Sequence, residues 1–156
     1  MTTEAPFEMT LFTRWGDLDS NGHMGNAAYL DACVDVRFAF FASRGFSLAR
    51  FTELALGPVI FKDEIEYFRE LRLLDPVRIT LAIAGASEDG SHFRLVNEYY
   101  RARPDDARLA ARLVTTGSWL DLRRRKLTRP PDELAAVLRE MPRTEEFEIL
   151  PSRLRT

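Results

Sequence analysis

The stretch Asn26-Ala27-Ala28-Tyr29-Leu30-Asp31-Ala32-Cys33-Val34-Asp35-Val36-Arg37-Phe38-Ala39-Phe40-Phe41-Ala42-Ser43-Arg44 contains neither glycine nor proline and ends at Gly45. Glycine suits the position just past a helix, where the backbone turns left-handed, and Asn26 suits the N-cap. One long helix is therefore predicted from Asn26 to about Arg44. At ~100° per residue, Asp31 and Asp35 share one flank and Arg37 and Arg44 another. Leu30, Cys33, Val34, Phe38, Phe40 and Phe41 cover much of the remainder. A helix that is apolar nearly all round is buried, so the rest of the chain is expected to wrap it.

The wrapping segments follow. Ile65 and Tyr67 alternate with Glu64 and Glu66, and Val77, Ile79, Leu81 and Ile83 alternate with Arg78, Thr80, Ala82 and Ala84. Both have the period of two of a strand. Ser87-Glu88-Asp89-Gly90 marks a hairpin turn, Phe93 to Arg101 the next strand, and Pro104-Asp105-Asp106 the next turn. Ala107 to Leu122 reads as a long strand with Gly117 at a bulge or a close approach. Phe7 to Trp15 reads as a first strand, and Ser47 to Leu54 as a short helix. Pro130-Pro131-Asp132-Glu133 opens a terminal helix running to about Arg139. From Pro142 onward a solvated tail is expected. The short turns predict an antiparallel meander. The fold class is then α+β: one antiparallel sheet curled around one helix, a single domain over 1–156 with its core at about 7–140.

Composition narrows the function. The 156 residues are 46% hydrophobic, with 22 basic against 24 acidic side chains and a net charge of −2. That apolar content argues against disorder, and the lack of basic excess argues against nucleic acid as a partner. Cys33 is the only cysteine, which excludes an internal disulfide and fits a reducing, cytoplasmic setting. His23, His92 and Cys33 are poor material for a structural zinc site. No apolar run reaches the ~18 residues of a membrane span. The N-terminus lacks the basic start and apolar run of a targeting segment.

The segment Arg14-Trp15-Gly16-Asp17-Leu18-Asp19-Ser20-Asn21-Gly22-His23-Met24-Gly25-Asn26-Ala27-Ala28-Tyr29-Leu30 resembles the signature of the hotdog-fold thioesterases. It is similar to the 4-hydroxybenzoyl-CoA thioesterase-like branch, with its pattern of roughly D-x-D-x-x-G-H-V-N-N-x-x-Y. It also resembles the D-x-N-x-H of plant acyl-ACP thioesterases, here Asp19, Asn21 and His23. Ile65-Glu66-Tyr67-Phe68-Arg69 resembles the second-strand pattern of these families. Asp121-Leu122-Arg123-Arg124-Arg125-Lys126 with Pro130-Pro131 resembles their end-of-domain pattern. One departure is clear: Gly25 stands where the family often has the first of two asparagines.

The resemblance implies a hotdog fold, hydrolysis of an acyl-CoA thioester, and no cofactor. It implies acyl sites at the interface of a homodimer, with homotetramers among the relatives. A thiol leaves readily, its pKa being ~8.5, so the reaction needs a polarised carbonyl and one carboxylate. Asp19 is the candidate general base or nucleophile, with turn formation as its alternative role. Asn21 and His23 would orient Asp19 or the attacking water. The free N–H groups at the helix start, from Asn26 and Ala27 to Tyr29, carry partial positive charge and would polarise the carbonyl. Tyr29 is a packing residue or a wall of the acyl pocket. Glu70 is the candidate second carboxylate, or else a surface strand residue. Arg123 and Arg124, in the only basic run, belong to a solvated loop or meet the phosphates of coenzyme A or an acidic carrier protein. Cys33 is expected to be inert core, and His92 to be exposed. The competing functions are an acyl-ACP thioesterase, a hotdog hydratase or dehydratase, and a non-catalytic acyl-binding module. The hydratase relatives place Asn-Pro before the histidine, and Ser20-Asn21-Gly22-His23 lacks that proline.

Overall fold

The computed structural model describes residues 4–154. In chain order the elements are β1 (Phe7–Phe12), a 3-10 turn (Trp15–Asp17), α1 (Asn26–Ser43), α2 (Leu48–Leu54), β2 (Leu56–Tyr67), β3 (Pro76–Ala86), β4 (His92–Arg101), β5 (Leu109–Asp121), β6 (Lys126–Thr128), α3 (Asp132–Glu140) and β7 (Arg143–Ile149). The predicted long helix is present, with Arg44 as its C-cap and Gly45 beyond it at φ 88°. Its N-cap is Gly25, at φ −81° and ψ 162°, rather than Asn26, which is already helical. Asn26 therefore caps nothing.

The sheet runs β1-β3-β4-β5-β2, with β6 against β5 and β7 against β3. β3, β4 and β5 form the expected meander. β2 does not: it pairs antiparallel with β5, from Leu56 opposite Asp121 to Tyr67 opposite Ala111. Between Tyr67 and Pro76 the chain thus crosses from the β2 edge, past β5 and β4, to β3, which lies beside the other edge strand β1. That crossing segment, which carries Glu70 and Arg72, passes the start of α1.

One face of the sheet holds α1. Tyr29, Cys33, Val36, Arg37, Phe40 and Phe41 are buried, a spacing that is one broad helical stripe. They pack with Ile79, Leu81, Ile83, Leu95, Tyr99, Leu113 and Trp119 in one core. The helix is not covered all round, however. Leu30 and Val34 remain exposed with Asp31 and Asp35.

Arg37 is a buried charge, and its partners come from two strands, β4 and β5. Nε and Nη2 donate to Asn97 Oδ1 at 3.0 and 2.8 Å, and Nη2 donates to Thr115 Oγ1 at 2.6 Å. Thr115 in turn donates to Asp63, and Asn97 Nδ2 donates to the Thr80 carbonyl at 3.0 Å. A buried cation needs such a satisfied network to be tolerated.

Two expectations fail at the C-terminus. The segment from Pro142 is no solvated tail: β7 pairs parallel with β3, and Leu150 is buried, its N–H donating to the Ala86 carbonyl at 3.0 Å. His92 is buried, not exposed, because Pro151 lies over it, its carbonyl oxygen accepting from Nδ1 at 2.8 Å. Gly117 behaves as expected. Ile60 pairs with it where the register of β2 shifts, and a Cβ there would stand 2.6 Å from the Val59 carbonyl oxygen.

Candidate active site

The loop Leu18–Gly25 is folded by its own backbone. The Asp19 N–H donates to the His23 carbonyl at 2.8 Å, and the Gly22 N–H to the Asp19 carbonyl at 3.1 Å. Gly22 sits at φ 75°, a conformation costly for a side-chain-bearing residue. The Asp19 carboxylate holds the turn shut: Oδ1 accepts from the N–H groups of Asn21 at 2.8 Å and His23 at 3.3 Å. The structural and chemical readings of Asp19 are therefore compatible, since Oδ1 makes the turn and Oδ2 makes no hydrogen bond among the described residues.

Gly25 joins this turn to α1. Its N–H donates to the Asp17 carbonyl at 2.8 Å, and a Cβ at Gly25 would lie 3.4 Å from Asp19 Cβ. Asp19 thus packs directly against the helix start. No side chain caps α1. Its first N–H groups are left to carry the positive end of the helix dipole unneutralised, beside a carboxylate.

The crossing segment supplies the other wall. The Met24 N–H donates to the Leu71 carbonyl at 2.7 Å, and His23 bridges Arg72. This stitching sets His23 Nε2 2.8 Å from Glu70 Oε2. Arg72 Nε donates to Glu70 Oε1 at 2.8 Å, and Arg101 Nη2 holds the Glu70 carbonyl at 2.6 Å. The Arg72 hydrogen bond, aided by the nearby charges of Arg72 and His23, outweighs burial and keeps the Glu70 carboxyl below its ordinary pKa. Glu70 is consequently an anion facing an imidazole, not a strand residue on an open surface.

Tyr29, 2% exposed, forms the floor. Its ring meets Tyr67 and Tyr99 edge-on at 5.1 and 5.2 Å, and the Tyr99 hydroxyl donates to its carbonyl. Burial, with smaller help from Tyr67, pushes the Tyr29 phenol up to about 12. It is a neutral donor at any ordinary pH.

Asp19, His23, Asn26, Tyr29 and Glu70 thus line one open cavity of about 300 Å³ with Met24, Tyr67, Phe68 and Arg69. Other members of the expected set do not line this cavity with their side chains. Asn21 is exposed on the turn and contributes its backbone N–H. Ala27 is exposed in the first turn of α1. Arg123 and Arg124 sit in the turn after β5, where their N–H groups donate to Asp121 Oδ1 at 2.9 and 3.0 Å. β5 runs from Leu109 near the cavity to Asp121, so within one chain these arginines are roughly 40 Å of strand away. Sequence reasoning missed Arg72 and Arg101. Neither belongs to a motif; Arg72 is two residues from Glu70 in the chain, and only the sheet topology brings Arg101 to it. Among the described residues no group of three His, Cys, Asp or Glu side chains is placed to hold a metal ion, and no helix is long and apolar enough to cross a membrane.

Comparison with known proteins points the same way. A 1,4-dihydroxy-2-naphthoyl-CoA thioesterase from Synechocystis superposes with a TM-score of 0.76 at 21% identity, over 86% of this chain and 96% of that one. A hypothetical protein from Staphylococcus aureus, in complex with CoA, gives 0.76 at 23%, over 91% and 89%. A probable thioesterase from Escherichia coli gives 0.71 at 23%, over 87% and 98%. At such identities the likeness establishes the hotdog fold. No curated protein matches the chain. The thioesterase-like superfamily matches residues 13–138, from the foot of β1 to the end of α3, and the chain belongs to that family.

Proposed function

We propose that the protein hydrolyses an acyl-CoA thioester to a carboxylic acid and free coenzyme A. One observation carries the reading: the Asp19 carboxylate and the uncapped start of α1 face the same cavity. The thioester carbonyl oxygen lies against the N–H groups of Asn26 and Ala27, where charge developing on it is stabilised; one such donor is worth ~10²–10³ in rate. Asp19 then acts in one of two balanced ways. As general base it takes a proton from water while the hydroxide adds to the carbonyl carbon. The C–S bond breaks, and the thiolate leaves and is protonated. As nucleophile Asp19 forms a mixed anhydride with the acyl group, thiolate departs, and water cleaves the anhydride. His23, held by Glu70, orients the water or protonates the departing sulfur. The CoA complex of the Staphylococcus aureus protein with the same fold supports the choice of thiol carrier.

The reading extends to assembly as a homodimer. β2 is an unpaired edge with Ile60 and Phe61 40% and 45% exposed, the kind of edge that another chain completes. Antiparallel pairing of two β2 strands sets the Leu56 end of one beside the Tyr67 end of the other. That brings Arg123 of the partner subunit and Arg124 of the partner subunit toward the mouth of the cavity, where the phosphates of CoA would lie.

The test is thiol release from a panel of acyl-CoA and acyl-carrier-protein thioesters. Turnover of acyl-CoA is expected, and Asp19→Asn should lower kcat ~10²–10⁴-fold at unchanged Tm, because an amide oxygen still accepts from Asn21 and His23. Full turnover in Asp19→Asn removes Asp19 from the mechanism. Enoyl-CoA hydration without thiol release moves the protein to the hydratases, and binding without any reaction to the acyl-binding modules.

A further inference from the structure

His23 and Glu70 both line the catalytic cavity, and they meet through His23 Nε2 and Glu70 Oε2 at 2.8 Å. An ionised carboxylate accepts hydrogen bonds and donates none. With Glu70 an anion, the hydrogen of the neutral ring sits on Nε2. Nδ1 makes no hydrogen bond among the described residues. It is the ring nitrogen left to gain and lose a proton, since the bond made by one nitrogen sets the state of the other.

Arg72 determines which Glu70 oxygen the ring meets. Its Nε donates to Oε1 at 2.8 Å, and its Nη2 donates to the same oxygen. Oε2 is the oxygen left for His23. The backbone on both sides is held by other means. The Arg72 N–H donates to Oδ2 of the buried Asp75 at 2.8 Å, and Arg72 bridges His23 strand to strand. Arg101 Nε and Nη2 donate to the Glu70 carbonyl at 3.2 and 2.6 Å, and Arg101 Nη1 donates to Asp106 Oδ2 at 2.8 Å. The Arg72 guanidinium therefore has one task, the Glu70 carboxylate. Its side chain is 65% exposed, and an exposed ion pair adds little to stability. Arg72 does not line the cavity, so it acts through Glu70 and not on a substrate.

We propose that Arg72 is a positioning residue: by occupying Glu70 Oε1 it locks the carboxylate onto His23 Nε2 and leaves Nδ1 as the atom that carries the proton to the departing sulfur. This rests on the thioesterase reading of the cavity. Where Asp19 is the base, it takes a proton from water as the hydroxide adds to the carbonyl carbon. Nδ1 receives that proton from Asp19 and gives it to the sulfur as the C–S bond breaks. Where Asp19 is the nucleophile, thiolate leaves as the anhydride forms, and Nδ1 passes to it a proton from the water that cleaves the anhydride. In both routes the ring starts and ends neutral with its hydrogen on Nε2, and Glu70 faces the transient imidazolium as a fixed anion. Without Arg72 the carboxylate turns about its own bonds and no longer fixes the ring.

The experiment compares the full-length wild type, Arg72→Met and Arg72→Lys by acyl-CoA hydrolysis from about pH 4 to 8 and by ¹⁵N-histidine NMR. The chain has two histidines. His92, whose Nδ1 donates to the Pro151 carbonyl at 2.8 Å, carries its hydrogen on the opposite nitrogen and serves as internal standard. The wild type should show the His23 hydrogen on Nε2. Arg72→Met should keep its Tm and KM and lower kcat ~10–10²-fold. Its acid limb should move to higher pH, because Glu70 loses the hydrogen bond and charge that hold it ionised. Its His23 signals should move toward those of a freely turning imidazole, while His92 keeps its own. Arg72→Lys restores the charge without the two-donor fork, so it should recover the acid limb and part of kcat. A wild-type His23 with its hydrogen on Nδ1 overturns the assignment. So does an Arg72→Met protein whose pH profile and His23 signals match the wild type, whatever its kcat. If the wild type hydrolyses no thioester while its His23 signals still depend on Arg72 in the expected way, the hydrolase reading fails and the hold of Arg72 on His23 stands.

Discussion

Asp19 offers one oxygen to its own turn and keeps the other free. Its two mechanistic roles differ in where the water oxygen goes. Over repeated turnovers in H₂¹⁸O, an anhydride that water cleaves at the Asp19 carbonyl carbon should leave label in the Asp19 side chain, whereas general-base action should label only the released acid; label in the Asp19 peptide by mass spectrometry identifies the anhydride route. Asp89 is a second carboxylate with a defined task. Burial raises its pKa, but hydrogen bonds from Ser152, Ser87 and Ser91 outweigh that and hold it below the ordinary carboxylate range. A depressed folded-state pKa contributes stability above the unfolded value of ~3.9, and that contribution drains away as pH falls toward the folded value. Tm should therefore drop more steeply below about pH 4 in the wild type than in Asp89→Asn. At neutral pH the variant should be less stable by about 1 kcal/mol, as thermal melts across the acid range would show. Cys33, read from the sequence as inert core, is buried, its thiol donating to the Leu30 carbonyl at 3.0 Å; burial pushes its pKa up.

Elements were unevenly legible. α1 announced itself by composition, because so apolar a helix has only one stable location. β3, β4 and β5 were readable from alternation and from turn residues. β7 was not. Arg143-Thr144-Glu145-Glu146-Phe147-Glu148-Ile149 carries three glutamates and one arginine, and five of its seven residues stay exposed. It is a strand because β3 extends past β1 and offers an unpaired edge, a cause outside β7 itself. Gly117 shows the opposite case, in which one residue predicts the local packing. Gly117→Ala would drive a methyl group into the Val59 carbonyl and the Phe93 ring, both within 2.8 Å. Overpacking of this kind costs ~1–3 kcal/mol, and here the obstacle is partly backbone. The variant should lose stability toward the upper end of that range in denaturant titration, with the β2–β5 pairing the first to open in hydrogen exchange.

At the scale of the whole molecule the open edge and the exposed flank of α1 coincide. Ile60 on β2 and Val34 on α1 line one cavity beside this unpaired strand, and Phe61 and Leu30 are exposed. If two chains join there, Phe61→Lys should put two like charges near a two-fold axis and shift the protein to monomer, read by light scattering. Because the cavity mouth lies at the Tyr67 end of the same strand, thioesterase activity should fall in step with dimer content and recover at high protein concentration. A monomeric variant with full turnover would show that one chain makes a complete site.

The amino-acid order alone determined the helix, the turn that precedes it and the carboxylate in that turn, because these depend on interactions within about twenty-five residues of chain. Asp19, His23 and the α1 start are neighbours in sequence and remain so in space. Glu70 beside His23, the arginines that keep it ionised, the burial of His92 and the distance of Arg123 and Arg124 were settled only by tertiary structure. Each depends on which strand the sheet places next to which, and that is decided by the collective fit of side chains around α1 rather than by any local signal.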